Sequence, residues 1–120
     1  MIKISDKIKR IVEENPMAVA TVMPDGRPNA IGVAYVKVVC ENQILITDNF
    51  MNQTIKDIAK NPNVVLLSWD KEMDGYKFVG TAQYFDSGEW LTKIKQMPEN
   101  KGLPAKGAVL VTVNLIIRSA

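Results

Sequence analysis

The chain has 120 residues, 47% hydrophobic and 23% charged, enough for one globular domain but too short for two domains with separate cores. Its net charge of +2 at pH 7 comes from interspersed basic and acidic residues, so we expect no nucleic-acid partner. With no histidine and a single cysteine, Cys40, the sequence excludes serine–histidine and cysteine–histidine catalysis, an intrachain disulfide and a multi-thiolate zinc site. An organic cofactor is therefore the economical source of any catalytic reactivity.

The amino-terminal segment is polar from the start and lacks the apolar core of a secretory signal. No apolar run in the chain approaches the roughly 20 residues that cross a bilayer as a helix. We therefore expect a cytoplasmic protein with no membrane partner. Within this segment Ser5 is a predicted N-cap, and apolar residues recur at helical spacing until Asn15 and Pro16 end the first helix.

Strand-forming residues dominate the next part of the chain. Residues 17–23 are apolar and β-branched, and the turn at 24–26 makes them the first arm of a hairpin. A long strand is predicted over about 29–39, with Gly32 as the place for a bulge or a close approach to a ligand. A short strand follows at 43–47.

The second half of the chain continues in the same manner. Asn52 is a predicted N-cap for a helix that ends near Lys60. Residues 64–69 have the apolar pattern of a buried strand, and 76–85 alternate as its antiparallel partner. Ser87 is a predicted cap for a third helix, and the almost wholly apolar residues 108–117 are predicted to be the last strand.

Six strands and three short helices, joined mostly by short connections, predict a mainly β fold, a six-stranded antiparallel barrel that is closed or partly closed. The apolar last strand indicates burial on both faces. In so small a domain another subunit covers the second face most economically, so we expect a homodimer. Trp69 and Trp90 are interpreted as core or interface anchors.

The most informative local pattern is a strand that leads into a helix, at residues 44–58. The amino end of a helix presents unpaired N–H groups and a partial positive charge, so it can hold a phosphate. Thr54 adds a hydroxyl, and Asn52 and Gln53 add amides. On position alone a purely structural interpretation is favoured, with Asn52 as a cap and Thr54 in the first turn, because strand–loop–helix units are common and no glycine-rich phosphate loop is present.

Four stretches carry a resemblance to a known family. They are AVATVMPDGRPNAIGVAYV, NPNVVLLSWD, GYKFVGTAQYF and KGLPAKGAVLVTV. Together with the order of elements, they resemble the pyridoxamine 5'-phosphate oxidase-like family of FMN-binding split barrels, over nearly the whole chain after residue 16. The resemblance implies a dimeric split barrel with FMN between the two subunits.

The resemblance also implies which residues would contact FMN. Asn52, Gln53 and Thr54 would meet the phosphate, whereas Thr47, Asp48 and Asn49 would follow the ring through backbone groups. Val33, Ala34 and Tyr35 would line the cofactor, and the loop from Leu103 to Lys106 would approach from the other subunit. No side chain is implied as an obligatory acid or base, so no catalytic residue is predicted.

Two departures from the family pattern limit what the resemblance implies. Several relatives carry a lysine at the position of Gln53, and a neutral amide cannot offset a dianionic phosphate as an ammonium does. Lys56, Arg27 or Lys106 could supply the charge instead. The carboxyl-terminal NLIIRSA lacks the arginine- and proline-containing tail of the vitamin-producing oxidases, so pyridoxamine phosphate oxidase activity itself is not expected.

Two functions remain open at the level of the sequence. The first is a small flavoprotein that uses FMN for oxidoreductase chemistry or electron transfer. The second is a non-catalytic binding module on the same barrel, holding a deazaflavin, haem or no cofactor. Haem is the weakest of these, because the chain has no histidine to serve as an axial ligand.

Overall fold

A computed structural model describes residues 2–119 of the chain. The elements are α1 (Asp6–Glu14), β1 (Met17–Val22), β2 (Pro28–Val33), β3 (Val36–Cys40), β4 (Gln43–Asp48), α2 (Gln53–Lys60), β5 (Asn63–Trp69), β6 (Gly75–Phe85), α3 (Glu89–Gln96), a 3₁₀ turn (Pro98–Asn100) and β7 (Gly107–Arg118). Within these residues, seven strands form one antiparallel sheet in the order β2-β1-β5-β6-β7-β4-β3. The mainly β class is as predicted.

The sheet curls around a single main core. Val19 on β1 and Leu66 on β5 belong to the same buried cluster as Val36 on β3 and Ile44 on β4, although these strands lie near opposite ends of the strand order. Alternate residues of β1 and β5 are buried in this core, as a pleated strand with one buried face requires, whereas β4 is buried on both faces. The two ends of the sheet therefore enclose one interior.

The predicted long strand over 29–39 is wrong, and the predicted number of six strands is wrong with it. The chain leaves the ladder at Ala34 and Tyr35, so that β2 pairs with β1 at one edge of the sheet and β3 pairs with β4 at the other. Both halves consist of good strand formers, and strand propensity does not reveal where a strand changes partner. Gly32 lies within a continuous β1–β2 register, so it marks no bulge.

The three predicted helices are present, and only the third begins at a different cap from the predicted one. The Ser5 hydroxyl accepts a hydrogen bond from the Ile8 N–H at 3.3 Å, which confirms that cap. The predicted cap at Ser87 is wrong: Gly88, with φ of 86°, precedes the first residue of α3. None of the helices in residues 2–119 has the length and apolar character needed to span a bilayer.

One face of β7 packs into the main core, and part of its other face is covered by α3 of the same chain. Ala108 and Leu110 of β7 pack with Leu45 of β4 against Ile94 of α3, in a second buried cluster. The expectation that another subunit covers this whole face is therefore wrong for the first half of β7. Only the second half leaves large apolar side chains in solvent, with Leu115 48% exposed.

Candidate functional site

A cavity of about 610 Å³ opens where the chain crosses between the two edges of the sheet. Its walls come from the end of β2 and the crossing, from the β4–α2 junction, and from one residue of the loop before β7. The lining residues are Ile31, Gly32, Val33, Ala34, Tyr35, Thr47, Asn49, Phe50, Met51, Asn52, Gln53, Thr54 and Leu103. This volume is within the usual range for small-molecule sites.

Most of the residues proposed from the sequence lie on this one cavity. Eight of the ten line it, namely Val33, Ala34, Tyr35, Thr47, Asn49, Asn52, Gln53 and Thr54. Gly32 also lines it, at the position singled out for a close approach to a ligand. The sequence analysis missed Ile31, Phe50 and Met51. Phe50 is 78% exposed, but single exposed apolar residues are common on protein surfaces, so no local signal distinguished it.

Asp48 lies behind the cavity wall instead of on it. Its buried carboxylate accepts hydrogen bonds from the Met51 N–H at 2.8 Å and the Tyr84 hydroxyl at 2.6 Å. Burial raises the pKa of Tyr84, and the hydrogen bond to Asp48 raises it further. The backbone of Asp48 was expected to follow a flavin ring, and its carbonyl accepts from the Lys106 N–H at 2.9 Å. Asp48 thus braces the loop that forms the wall.

The loop before β7 reaches the cavity within the same chain. The Ala105 N–H donates to Asn49 Oδ1 at 2.7 Å, and Lys106 Nζ donates to the Met51 carbonyl at 2.6 Å. Lys106 Nζ also lies 3.9 Å from Asp48 Oδ1. Leu103 is the residue of this loop that contributes to the wall.

A buried polar network lies beneath the amino end of α2. Asn29 Nδ2 donates to the hydroxyls of Thr21 at 3.2 Å and Thr54 at 3.3 Å. The Thr21 hydroxyl and Gln53 Nε2 donate to the two carboxylate oxygens of Asp57, each at 2.7 Å. The amide of Gln53 is therefore held inward by Asp57, and the Thr54 hydroxyl keeps its own proton for a further acceptor.

The amino end of α2 itself is uncapped. Asn52 occupies the N-cap position, as predicted, but its side chain makes no capping hydrogen bond. The N–H groups of a first helical turn are unpaired within the helix and carry its partial positive charge. Because Asn52, Gln53 and Thr54 all line the cavity, this end of the helix faces it.

The described cavity lining contains no charged side chain. Of the three cations proposed to balance a phosphate, Arg27 pairs with Asp25 at 2.7 Å in its own turn, and Lys106 donates to the Met51 carbonyl. Lys56 is exposed in the first turn of α2 and forms no ion pair among residues 2–119. It is thus the uncommitted cation nearest to this end of the helix in sequence.

One side of the sheet is apolar and uncovered in the single chain. We call it the outer sheet face; it carries Ala18, Ala20, Ala30, Gly32, Val65, Leu67, Trp69, Val79, Leu115 and Ile117. These residues alternate with the core residues of β1, β2, β5, β6 and β7, and Lys77 lies among them. Gly32 belongs to both this face and the cavity, so the two are continuous.

The sequence matches a family model described as pyridoxamine 5'-phosphate oxidase over residues 4–117. The chain belongs to this family. An uncharacterized protein of Methanocaldococcus jannaschii is 32% identical to this chain over 120 residues. The alignment covers 97% of this chain and 80% of that protein. The resemblance drawn from the sequence is confirmed.

Solved structures agree with the family assignment. HupZ from Group A Streptococcus superimposes with a TM-score of 0.86 at 25% identity, over 96% of this chain and 93% of HupZ. An FMN-binding protein of Syntrophomonas wolfei superimposes with a TM-score of 0.78 at 14% identity, over 93% of this chain and 83% of that protein. An F420 reductase superimposes with a TM-score of 0.71 at 17% identity, over 91% of this chain and 94% of the reductase. The last two likenesses show the shared fold, and the predicted split barrel is confirmed.

Proposed function

We propose that this protein is a small FMN-binding flavoprotein, an oxidoreductase or electron-transfer protein whose cofactor occupies the 610 Å³ cavity. The observation that carries the proposal is the composition of that cavity. One end is the uncapped amino terminus of α2, and the rest is mostly apolar wall. A phosphate suits the amino terminus of the helix, and a flat ring suits the apolar wall.

The phosphate end would be held by neutral donors. The Thr54 hydroxyl accepts from Asn29 and keeps its proton for the ligand, and Asn52 adds an amide that makes no capping bond. Gln53 contributes its backbone N–H, because its side-chain amide is engaged with Asp57. These donors fit a phosphate, and Lys56 is the cation available to approach it.

The ring end would be bounded by the crossing and the braced loop. Val33 and Tyr35 on one side and Met51 on the other supply apolar contact, with Leu103 closing the wall. When bound, FMN supplies the hydride and electron chemistry. The chain's own residues orient the ring and exclude water, a role that needs no acid or base of its own.

We further propose that a second copy of the chain covers the outer sheet face and completes the site. An apolar patch of this kind on a monomer marks an interaction surface. Because Gly32 joins the face to the cavity, a partner seated there would lie beside the bound ring. This arrangement supports a homodimer with the cofactor at its interface.

The test is the visible absorption spectrum of protein purified without added cofactor. We expect the two bands of an oxidised flavin, bleaching on reduction, and release of FMN on denaturation. Reduction by a nicotinamide nucleotide would favour a reductase over an electron carrier. A colourless protein that does not take up FMN in a fluorescence titration would contradict the proposal.

The uncharged lining favours one alternative, a binding module for a ligand other than FMN. A dianion gains less from neutral donors than from a cation, and the Asp57 carboxylate lies behind the same helix end. The structural likeness to an F420 reductase makes a deazaflavin the first ligand to compare. Titration with F420 beside FMN would reveal a preference for the deazaflavin.

A further inference from the structure

A second residue with a hydroxyl group lines the cavity, on the strand that directly precedes Thr54's helix. Thr47, at the end of β4, is 5% exposed and accepts a hydrogen bond from Asn100 Nδ2 at 2.9 Å. Asn100 ends the 3₁₀ turn and is itself 4% exposed. The turn fixes its backbone, since the Asn100 N–H donates to the Met97 carbonyl and its carbonyl accepts from the Leu103 N–H, each at 3.0 Å.

A third group determines which partner donates and which accepts in the hydrogen bond between Asn100 and Thr47. Asn100 Nδ2 also lies 2.9 Å from the carbonyl oxygen of Ile94. A carbonyl can only accept, so the amide atom that faces it must be the nitrogen. The two protons of that nitrogen then serve Ile94 and Thr47, and the Thr47 hydroxyl is the acceptor of its bond. No group in residues 2–119 accepts the hydroxyl's own proton.

The oxygen of the same side-chain amide is unfavourably placed. Asn100 Oδ1 is buried and finds no hydrogen-bond donor among the described residues. A buried acceptor without a partner destabilises a fold, and such an atom calls for an explanation. Asn100 thus weakens the fold through one atom, while through another it makes the Thr47 hydroxyl a hydrogen-bond acceptor.

We propose that Asn100 is a positioning residue that holds the Thr47 hydroxyl as a donor toward the cavity. The wall at Thr47 therefore selects a ligand with a hydrogen-bond acceptor on its ring, such as a ring carbonyl. This inference rests on the proposed function for its ligand. It separates the two hydroxyls of the site, with Thr54 serving the phosphate and Thr47 serving the ring.

The first test is a double-mutant cycle on flavin affinity. Thr47→Val removes the donor, and Asn100→Asp replaces the amide nitrogen by an oxygen that draws the hydroxyl proton away from the cavity. We expect each change to weaken binding roughly tenfold, with no further loss in the double variant. Thr47→Ser should restore the affinity. Riboflavin should lose as much as FMN, because the contact is to the ring.

Additive losses, or unchanged affinity in both single variants, would overturn the inference. Losses confined to FMN would assign Thr47 to the phosphate and overturn it equally. If Asn100→Asp does not fold, Asn100→Ala replaces it in the cycle with the same non-additivity expected. If wild type binds neither flavin, the proposed function fails as well, whereas a binding wild type with unaffected variants defeats this inference alone.

A second test needs no ligand. In ¹⁵N NMR of the wild type, both side-chain amide protons of Asn100 should be protected from exchange with solvent. One of them should lose protection in Thr47→Val and keep it in Thr47→Ser. Rapid exchange of both protons in the wild type would show that the amide holds neither partner, and would overturn the proposal.

Discussion

At the scale of single residues, the balance of charge at the amino end of α2 depends on Gln53 and Asp57. They are four residues apart and meet on one side of the helix, where Gln53 Nε2 donates to Asp57 at 2.7 Å. The other oxygen of Asp57 accepts from Thr21. Two neutral donors thus surround this carboxylate, so a cation placed at position 53 would lie beside both Asp57 and the proposed phosphate.

Gln53→Lys is expected to strengthen FMN binding more than riboflavin binding, because only FMN carries the dianion. The gain should shrink as salt is raised, since exposed charges are screened over about 10 Å at 0.1 M ionic strength. Calorimetric titrations of both ligands, with wild type and variant at two salt concentrations, measure the effect. Part of the added charge is offset by Asp57, so the gain should grow in an Asp57→Asn background.

The matched control for this substitution is Ala59→Lys, an exposed position near the other end of the same helix. It adds the same charge away from the proposed phosphate and should leave both affinities unchanged. Equal effects of Gln53→Lys on the two flavins, or none on either, would contradict the placement of the phosphate and favour a module that binds another ligand.

Thr54→Val should weaken FMN binding about tenfold or more, because a hydrogen bond to a charged group contributes on the order of 1.5 to 3 kcal/mol. The side chain is buried and valine has nearly its shape, so the fold should survive. Thr54→Ser retains the hydroxyl and is the control. Fluorescence titration gives the affinities, and an unchanged value for the folded valine variant would show that Thr54 does not contact the phosphate.

Single residues also show how far the sequence can predict a site. Asn52 and Thr54 were identifiable because the start of a helix has a local signature. The role of Asp48 depends on Tyr84 and Lys106, which are distant along the chain, and no local pattern reveals a buried carboxylate that has found its donors. Asn100 was missed for the same reason, since its partner Thr47 precedes it by 53 residues.

At the scale of elements, the crossing between β2 and β3 forms part of the cavity wall, and it is the feature that strand propensity could not predict. Two residues, Ala34 and Tyr35, carry the chain from one edge of the sheet to the other, and both line the cavity. The Tyr35 carbonyl accepts from the Thr47 N–H at 3.1 Å, which ties the crossing to the end of β4. The sequence pattern contains both strands but not the change of partner between them.

Asp74 forms ion pairs that join three elements outside the site, and we expect their contribution to stability to depend on pH. It pairs with Lys7 of α1 at 2.9 Å and Arg118 of β7 at 3.3 Å, next to the start of β6. The hydrogen bond from Lys7 holds the pKa of Asp74 below its usual value, and the charges of Lys7 and Arg118 act in the same direction. A carboxyl with a lowered folded-state pKa stabilises the fold above its unfolded pKa of about 4 and loses that contribution as pH falls through the folded value.

Asp74→Asn should therefore lower the Tm at pH 7, and the difference from wild type should shrink as the pH falls below about 4. Thermal unfolding followed by circular dichroism across this range measures it. Lys7→Met removes one cation and should show a smaller difference with the same trend. A difference that stays constant down to strongly acidic pH would show that the charge of Asp74 does not stabilise the fold.

At the scale of the whole molecule, the outer sheet face and the cavity are one continuous surface. Small residues on β1 and β2 leave the part next to the cavity flat, whereas Trp69, Leu115 and Ile117 give the far part large apolar side chains. A second copy would bury the large side chains and bring its own surface to the open side of the cavity. Assembly and cofactor binding are therefore expected to be coupled.

The wild type should have a mass near twice 13.4 kDa by light scattering at micromolar concentration. Replacing Leu115 and Ile117 together by lysine places two charges in the far part of the proposed interface, where burial without partners is costly. We expect a folded monomer that binds FMN more weakly than wild type does. Gln96→Lys, on the exposed side of α3, adds a charge away from this face and should change neither mass nor affinity. A monomeric wild type, or a lysine double variant that stays dimeric, would contradict this interface, and a monomer with full FMN affinity would show that one chain builds the whole site.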